Sequence, residues 1–388
     1  MSKDDRTNVR VLMVDALSGT NDFAVALSES LASRCKLTVF TVENTRINEG
    51  SSGINVLRAW PLFGGGIDTK IILRLVKSIA SLLKELWRHR GQTVHSQFPR
   101  FPTLELAIFI LAKPFLHNLI FTVHNAVPHE RSGWREALLY LWYRLPDRIV
   151  VLSDHVRLEI IQRFGIQPER ITIIPHGNYL ALRQHCSGLA PSEPVAATIR
   201  NLDDKLVVFQ FGVIRQYKGI DTLIQAARQL PSDLPWQILV AGGGSPSLVE
   251  RYRSDIAASG LESRISIRHE FLLDRDLAAL IERADILVFP YRGISQSGAL
   301  LMGMTFAKPC VCTDLPGFRE YAREDEAEFF NEEAGADELA MRLLQLLKDP
   351  ARRQRLGNAV GEAATSRYSW GTIADRYLKV YTRDERLV

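Results

Sequence analysis

Residues 211–226 read FGVIRQYKGIDTLIQA, and residues 285–320 read DILVFPYRGISQSGALLMGMTFAKPCVCTDLPGFRE. Each stretch is an apolar strand that runs through a turn into a helix. The first turn carries Gly212, Arg215, Lys218 and Gly219; the second carries Ser295, Ser297 and Gly298. A glycine at a strand end lets a ligand come up to the backbone. Arginine forks onto two phosphate oxygens, while lysine supplies a point charge. Free N–H groups at a helix start donate to an anion. Two such turns suit a diphosphate, which the paired cations neutralise.

Strand and helix patterns alternate outward from these stretches along the whole chain. In the first half, strands are expected at 9–14, 36–41, 54–60, 94–97, 119–124, 148–152 and 171–174. Helices are expected at 23–32, 67–90, 103–115, 134–144 and 154–164. In the second half, strands are expected at 206–212, 236–241, 265–269, 286–290 and 309–313, separated by helical stretches. Such alternation predicts parallel sheets covered by helices on both faces. Around residues 180–204, Ser187, Pro191, Ser192 and Pro194 accompany a loss of periodicity, which reads as a linker. The expected organisation is a Rossmann-like domain over 1–185, a linker over 186–204 and a second Rossmann-like domain over 205–366. A final helical segment follows over 367–388, where Trp370, Ile373, Tyr377 and Val380 recur at helical spacing. In each doubly wound domain a ligand belongs outside the carboxyl ends of the strands. Two such edges facing each other across a hinge would form one deep cleft.

The 388 residues suffice for two domains, and 46% hydrophobic with 24% charged residues excludes a disordered chain. The net charge of +4 is uneven: residues 1–185 carry 23 Lys and Arg against 16 Asp and Glu, and the remainder 25 against 28. The first half therefore leans toward an anionic partner such as a lipid phosphate or a membrane surface, although scatter over a solvated surface gives the same count. Nothing points to a nucleic-acid partner. Cys35, Cys186, Cys310 and Cys312 are too few for a disulfide framework, which favours a reducing compartment. The opening MSKDDRTN does not read as a signal peptide. No apolar run reaches the ~20 residues of a spanning helix. The expectation is a cytoplasmic protein.

No Asp-x-Asp metal motif stands at a strand end, so Arg215 and Lys218 are expected to replace a divalent metal in stabilising a leaving diphosphate. No metal and no cofactor are expected; a UDP- or GDP-linked sugar would be the substrate. Gly243, in the triple glycine after QILVA, leaves room for a ligand or a neighbouring backbone. His269 and Phe271 close the next strand, where backbone groups can read a base edge; simple turn chemistry fits both places equally. In the first half, His124 ends the strand LIFTVH, and Glu130 follows in the same loop. A histidine there can donate to a sugar hydroxyl or move a proton. Asp22, after the first strand, is the other carboxylate placed at that edge. If the reaction inverts, Asp22, His124 or Glu130 can serve as the base; if it retains, leaving-group stabilisation dominates. Together these residues point to a nucleotide-sugar enzyme.

The chain resembles the GT-B fold glycosyltransferases of family 4, or "group 1", over nearly its whole length. FGVIRQYKG, AGGG, RADILVFPY, AKPCVCTD, GFRE, IPHG and YSW are similar to that family's landmarks. The resemblance implies an α/β fold of two facing Rossmann-like domains, the first binding the acceptor and the second the nucleotide sugar. It implies that Arg215 and Lys218 hold the donor diphosphate, that Ser297, Gly298 and Ala299 offer N–H groups to it, and that His124 contacts the donor sugar. It places Tyr291 among the donor-site landmarks and sends the last helix back onto the first domain. One departure stands out. Most members carry two glutamates eight positions apart, and Ile294 and Met302 occupy those places here. The combination IRQYKG, SQSG and HNAVPHERSGWRE is similar to a narrower bacterial group that includes the β-mannosyltransferase of xanthan-type exopolysaccharide assembly. The implied activity is metal-independent transfer of a hexose, such as mannose, to a glycan or a polyprenyl-diphosphate-linked acceptor at the inner face of the plasma membrane. A nucleotide-sugar epimerase of the same fold, or a non-catalytic sugar-nucleotide-binding subunit, would share the donor residues. Residues 67–90 set Ile71, Ile72, Leu75, Val76, Ile79, Leu82, Leu83 and Leu86 among Lys70, Arg74, Lys77, Lys84, Arg88 and Arg90. That pattern fits either an interfacial helix at an anionic membrane or a domain helix with its apolar face on the sheet.

Overall fold

The computed structural model describes residues 9–15, 22–43, 45–47, 53–60, 69–97, 99, 101–124, 133–294 and 296–383. The chain forms two compact units, one of residues 1–177 with 369–388 and the other of residues 178–368.

The first unit is built on seven strands: β1 (Arg10–Val14), β2 (Lys36–Val42), β3 (Asn55–Trp60), β4 (Thr93–Ser96), β5 (Asn118–Val123), β6 (Arg148–Val151) and β7 (Ile171–Ile173). Their order is β3-β2-β1-β4-β5-β6-β7, and every pair is parallel. The central strands are buried along their length because helices cover both faces of a parallel sheet. The order reverses between β1 and β4, the topological switch point where ligands of such sheets bind.

Chain residues far apart in sequence close one face of this sheet. In the helix Trp370–Thr382, Ile373, Tyr377 and Tyr381 are buried with Phe23, Leu27, Val39 and Ile120. A buried polar chain fixes the helix: His95 Nδ1 meets the Tyr381 hydroxyl at 2.8 Å, His95 Nε2 meets Thr122 Oγ1 at 2.7 Å, and Thr122 Oγ1 lies 3.1 Å from the Tyr377 hydroxyl. The spacing of Trp370, Ile373 and Tyr377 is thus the spacing of a core face.

The second unit has six parallel strands: β8 (Leu206–Phe211), β9 (Trp236–Ala241), β10 (Ile265–Arg268), β11 (Ile286–Phe289), β12 (Cys310–Thr313) and β13 (Glu328–Phe330). Their order is β10-β9-β8-β11-β12-β13, with the switch point between β8 and β11. Both quoted stretches begin on those two strands. The sequence therefore placed its two phosphate-suited turns on either side of one crevice.

The linker expected over 186–204 is a correction. The helices Leu180–Cys186 and Glu193–Arg200 occupy the segment, and Cys186, Val195 and Leu202 are buried with Phe209 and Leu287 in the second unit's core. The Ser192 backbone N–H also donates to Asp276 Oδ1 at 2.6 Å. Pro194 sits in the first turn of its helix, where a missing N–H has no partner to lose. What reads as a breaker is a helix start. The expected helix over 103–115 ends at Ala112, and Pro114 lies in the tighter turn Lys113–Phe115. The three-residue edge strand β13 went unanticipated.

Burial holds the His95 imidazole down to about 3. An unfolded histidine titrates near ~6.5, so below that pH the unfolded chain binds protons that the folded chain refuses. The stability held by neutral His95 is complete above pH ~6.5 and is lost progressively as pH falls toward about 3. Thermal unfolding should therefore show a lower midpoint at pH ~5 than at pH ~7.5, and a His95→Gln variant should narrow that difference; an equal difference would remove His95 as its source.

Candidate functional site

The second unit's switch point collects most of the residues singled out in the sequence. β8 ends at Phe211, and Gly212 follows with φ +104, which favours glycine. The chain then turns through Gln216–Lys218 and closes that turn at Gly219, φ +66. A Cβ on Gly219 would overlap the carbonyl oxygen of Pro290, just past the end of β11. Only glycine lets the two turns meet. Gln210, buried within β8, donates from Nε2 to the Lys218 carbonyl at 2.8 Å and clamps the turn from below.

This packing aims Lys218. Its ammonium donates to the Tyr291 hydroxyl at 2.6 Å and lies 4.3 Å from the centre of that ring. Tyr291 is itself locked against Tyr217 and Phe318, with ring centroids 5.8 and 5.3 Å away. A Cβ on Gly212 would come 3.1 Å from Lys218 Nζ, so the bare glycine backbone and the ammonium share one space. Burial, with the nearby Arg215 charge second, lowers Lys218 to about 8. Arg215 is exposed. Among the described residues neither cation pairs with a carboxylate. Two adjacent positive charges without a counter-ion, one of them largely desolvated, form a site that an anion stabilises.

The second turn supplies donors. Ser297 caps the helix Gly298–Thr305: its Oγ accepts from the Leu300 N–H at 3.1 Å and its carbonyl from Leu301. The N–H groups of Gly298 and Ala299 head the helix, where intrahelical acceptors are lacking. The Ser297 side chain, nearly inaccessible at 2% exposure, is thus a cap. A Cβ on Gly298 would stand 2.8 Å from the Tyr179 hydroxyl, so Tyr179 overhangs this helix start. Ile294 and Met302, at the places of the family's glutamates, pack against the apolar core.

The remaining second-unit candidates differ. Gly243 has no atom within 4 Å of where a Cβ would be, so the space beside it is open to a ligand. His269 Nε2 bonds the Gly244 carbonyl oxygen at 3.0 Å, and Phe271 stands out into solvent at 87% exposure. His269 has a loop-bracing contact, and Phe271 has no packing to hold it toward a base. Tyr291, 1% exposed, reaches the site only through Lys218.

In the first unit, His124 follows β5 with its ring 4.9 Å from Phe23. Phe23 also meets His176 at 5.1 Å and Trp370 at 5.3 Å. Gly177 admits this packing, because a Cβ there would run into the Trp370 ring. Burial first, then His176 and His95, holds His124 well below the usual histidine range; burial lowers His176 to about 4. Both rings are therefore neutral near pH 7 and suited to hydrogen bonding rather than to carrying charge. Asp22 opens the helix Asp22–Ala32, but its side chain, like Glu130 and Ser295, lies outside the described residues. Sequence reasoning missed Asp15 and Gln97, both buried at the carboxyl ends of β1 and β4. The signal was a polar residue directly after each apolar strand. It also missed Gln210, a lone amide inside LVVFQF, and Tyr179.

Comparison with known proteins agrees with this arrangement. Residues 17–179 match the model of the Glycosyltransferase Family 4, and residues 205–349 match that of the Glycosyl transferases group 1. The D-inositol 3-phosphate glycosyltransferase of Kineococcus radiotolerans is 28% identical over 258 residues, covering 61% of this chain and 57% of that protein. The GDP-mannose:glycolipid 4-beta-D-mannosyltransferase of Xanthomonas campestris pv. campestris is 26% identical over 195 residues, covering 49% of this chain and 48% of its own. The chain thus spans about half the length of these curated relatives. Among solved structures, Anabaena Alr3699/HepE in complex with UDP and glucose superposes with a TM-score of 0.71 at 15% identity, over 97% of this chain and 100% of that one. That likeness shows the two-domain GT-B fold.

Two outcomes follow for binding of a nucleoside diphosphate, measured by titration calorimetry. Lys218→Ala should weaken it at least about tenfold, the cost of one charge-assisted contact. In the unaltered protein, binding should weaken as pH rises past about 8, because the ammonium loses its proton there; affinity level to pH ~9.5 would contradict the role. Glycine substitutions separate structure from binding: Gly219→Ala should lower the melting temperature sharply, and Gly243→Ala should leave it unchanged while weakening the ligand.

Proposed function

The chain belongs to the glycosyltransferases of group 1 and family 4, and from that premise we propose that it moves a hexose from a nucleoside-diphosphate sugar to a lipid-diphosphate-linked oligosaccharide in bacterial surface or exopolysaccharide synthesis. The observation that carries the donor half is Lys218, held by Tyr291 beside Arg215 without a carboxylate partner among the described residues. In the transfer, the bond from the sugar's anomeric carbon to the diphosphate oxygen breaks and a bond to an acceptor hydroxyl oxygen forms. The nucleoside diphosphate leaves with the electron pair, and the hydroxyl proton passes to a base. Arg215, Lys218 and the N–H groups of Gly298 and Ala299 stabilise the charge that grows on the leaving group, a part otherwise played by a divalent metal. His124, held neutral by burial, hydrogen-bonds a sugar hydroxyl rather than holding the proton.

The name of the Xanthomonas relative, with a GDP-mannose donor and a glycolipid acceptor, supports a mannosyl donor and a lipid-borne acceptor for this chain. One observation favours a second reading, a non-catalytic subunit that binds sugar nucleotides: Ile294 and Met302 replace the carboxylates that other members present to sugar and ribose, and both are committed to packing.

Incubation of the purified chain with GDP-mannose and a polyprenyl-diphosphate oligosaccharide decides between them. The expected result is a product longer by one hexose, formed equally well with a chelator present and reduced at least about a hundredfold by Arg215→Ala with Lys218→Ala. Tight GDP-mannose binding with no product, and no slow release of GDP, would favour the binding subunit.

A further inference from the structure

The helix Thr69–Arg88 carries more apolar surface than the core of the first unit uses. Leu75, Ile79, Leu82 and Leu86 face inward and pack on that core. Ile72, Val76, Leu83 and Trp87 recur along the adjoining side of the helix, between that inward face and the cations, each roughly half exposed. The neighbouring helix Pro102–Ala112 adds Leu111, 71% exposed, and the turn after it adds Phe115, 57% exposed. The Trp87 and Phe115 rings meet at 6.2 Å and join the two elements into one band. Single exposed leucines are ordinary; a continuous apolar band across two elements marks a surface that something covers.

The charges beside the band indicate what covers it. Lys77, Lys84 and Arg88 follow the stripe around the helix, all exposed, and Arg90 stacks over Trp87 at 5.0 Å. Arg88 pairs with Glu85, but Lys77, Lys84 and Arg90 have no carboxylate partner among the described residues. An apolar stripe edged by unpaired cations, with an amphipathic aromatic at the margin, complements a bilayer whose headgroups are anionic. The positive excess of residues 1–185 has the same sign. No helix among the described residues is long and apolar enough to cross a membrane.

We propose that this face of the first unit docks on an anionic membrane. Leu83, Trp87, Leu111 and Phe115 enter the headgroup boundary, and Lys77, Lys84 and Arg90 lie against lipid phosphates. The proposal rests on the reading of a lipid-linked acceptor and deepens it by naming the surface that brings the enzyme to such a substrate.

Flotation of the purified full chain tests it, with vesicles of phosphatidylcholine containing phosphatidylglycerol and with phosphatidylcholine alone. The chain should float with the anionic vesicles at low salt and at least tenfold less with the neutral ones. Trp87→Ser combined with Phe115→Ser should cut that partition at least tenfold, and Lys77→Gln with Lys84→Gln should remove most of its salt dependence. All four side chains are exposed, so both variants should keep the parent melting temperature and nucleoside-diphosphate affinity, which verifies their folding. A parent chain that stays unfloated at low salt overturns the proposal, as does an undiminished partition of the Trp87/Phe115 variant. Concentration-dependent dimerisation abolished by that variant, without flotation, overturns it in favour of a second copy. Flotation that persists while a lipid-linked acceptor is never glycosylated leaves the surface standing and removes the acceptor reading.

Discussion

The contact on which the functional account depends is the 2.6 Å hydrogen bond from the Lys218 ammonium to the Tyr291 hydroxyl. It spans the switch point of the second sheet, from the turn after β8 to the turn after β11. An ammonium taken out of water is costly unless it is paired. Here the partner is a neutral phenol, which orients the charge without cancelling it. The cost is seen in the lowered pKa of Lys218, and it is recovered when an anion arrives. Around that contact the structure is over-determined: Gly219 permits the close approach of Pro290, Gln210 holds the turn, and Tyr217 with Phe318 fixes the phenol.

The two units spend polar groups differently at their sheet edges. The second gathers unpaired positive charge and helix-start donors, a combination matched to phosphate oxygens. The first gathers neutral rings: His124 and His176 around Phe23, with Trp370 from the far end of the chain completing the cluster. Neutral imidazoles recognise hydroxyl groups, which is the demand a sugar makes.

Much of this was legible in the sequence, and the reasons differ by element. The strands read correctly because fully buried parallel strands are short, apolar and bounded by turn residues. The Arg215–Lys218 turn was legible as two neighbouring cations after a strand end, because that pattern is local. The surroundings of Tyr291 were not. A tyrosine after FP gives no hint that its hydroxyl meets a lysine 73 residues earlier, so it entered as a donor contact when its part is to position Lys218. Phe271 and His269 stayed open between two readings for the same reason: a strand end can face a ligand, solvent or a neighbouring loop, and the pattern is identical. Segment 186–204 misled because serine and proline mark helix starts as well as breaks. The helix Thr69–Arg88 offered two readings, inward packing or an outer interface. The structure shows inward packing on one side and leaves the adjoining stripe uncovered, a division that a count of apolar residues cannot make.

The central claim is that Lys218 is a desolvated, uncompensated cation awaiting a diphosphate. The most direct measurement is the titration of its labelled Nζ by nuclear magnetic resonance, in the ligand-free protein and with a nucleoside diphosphate bound. The account predicts a midpoint near 8 in the free protein and a rise of at least about one pH unit on binding, since a neighbouring anion favours the charged form. A midpoint near ~10.4, the value of a lysine in water, or one that does not move when the diphosphate is added, would contradict it.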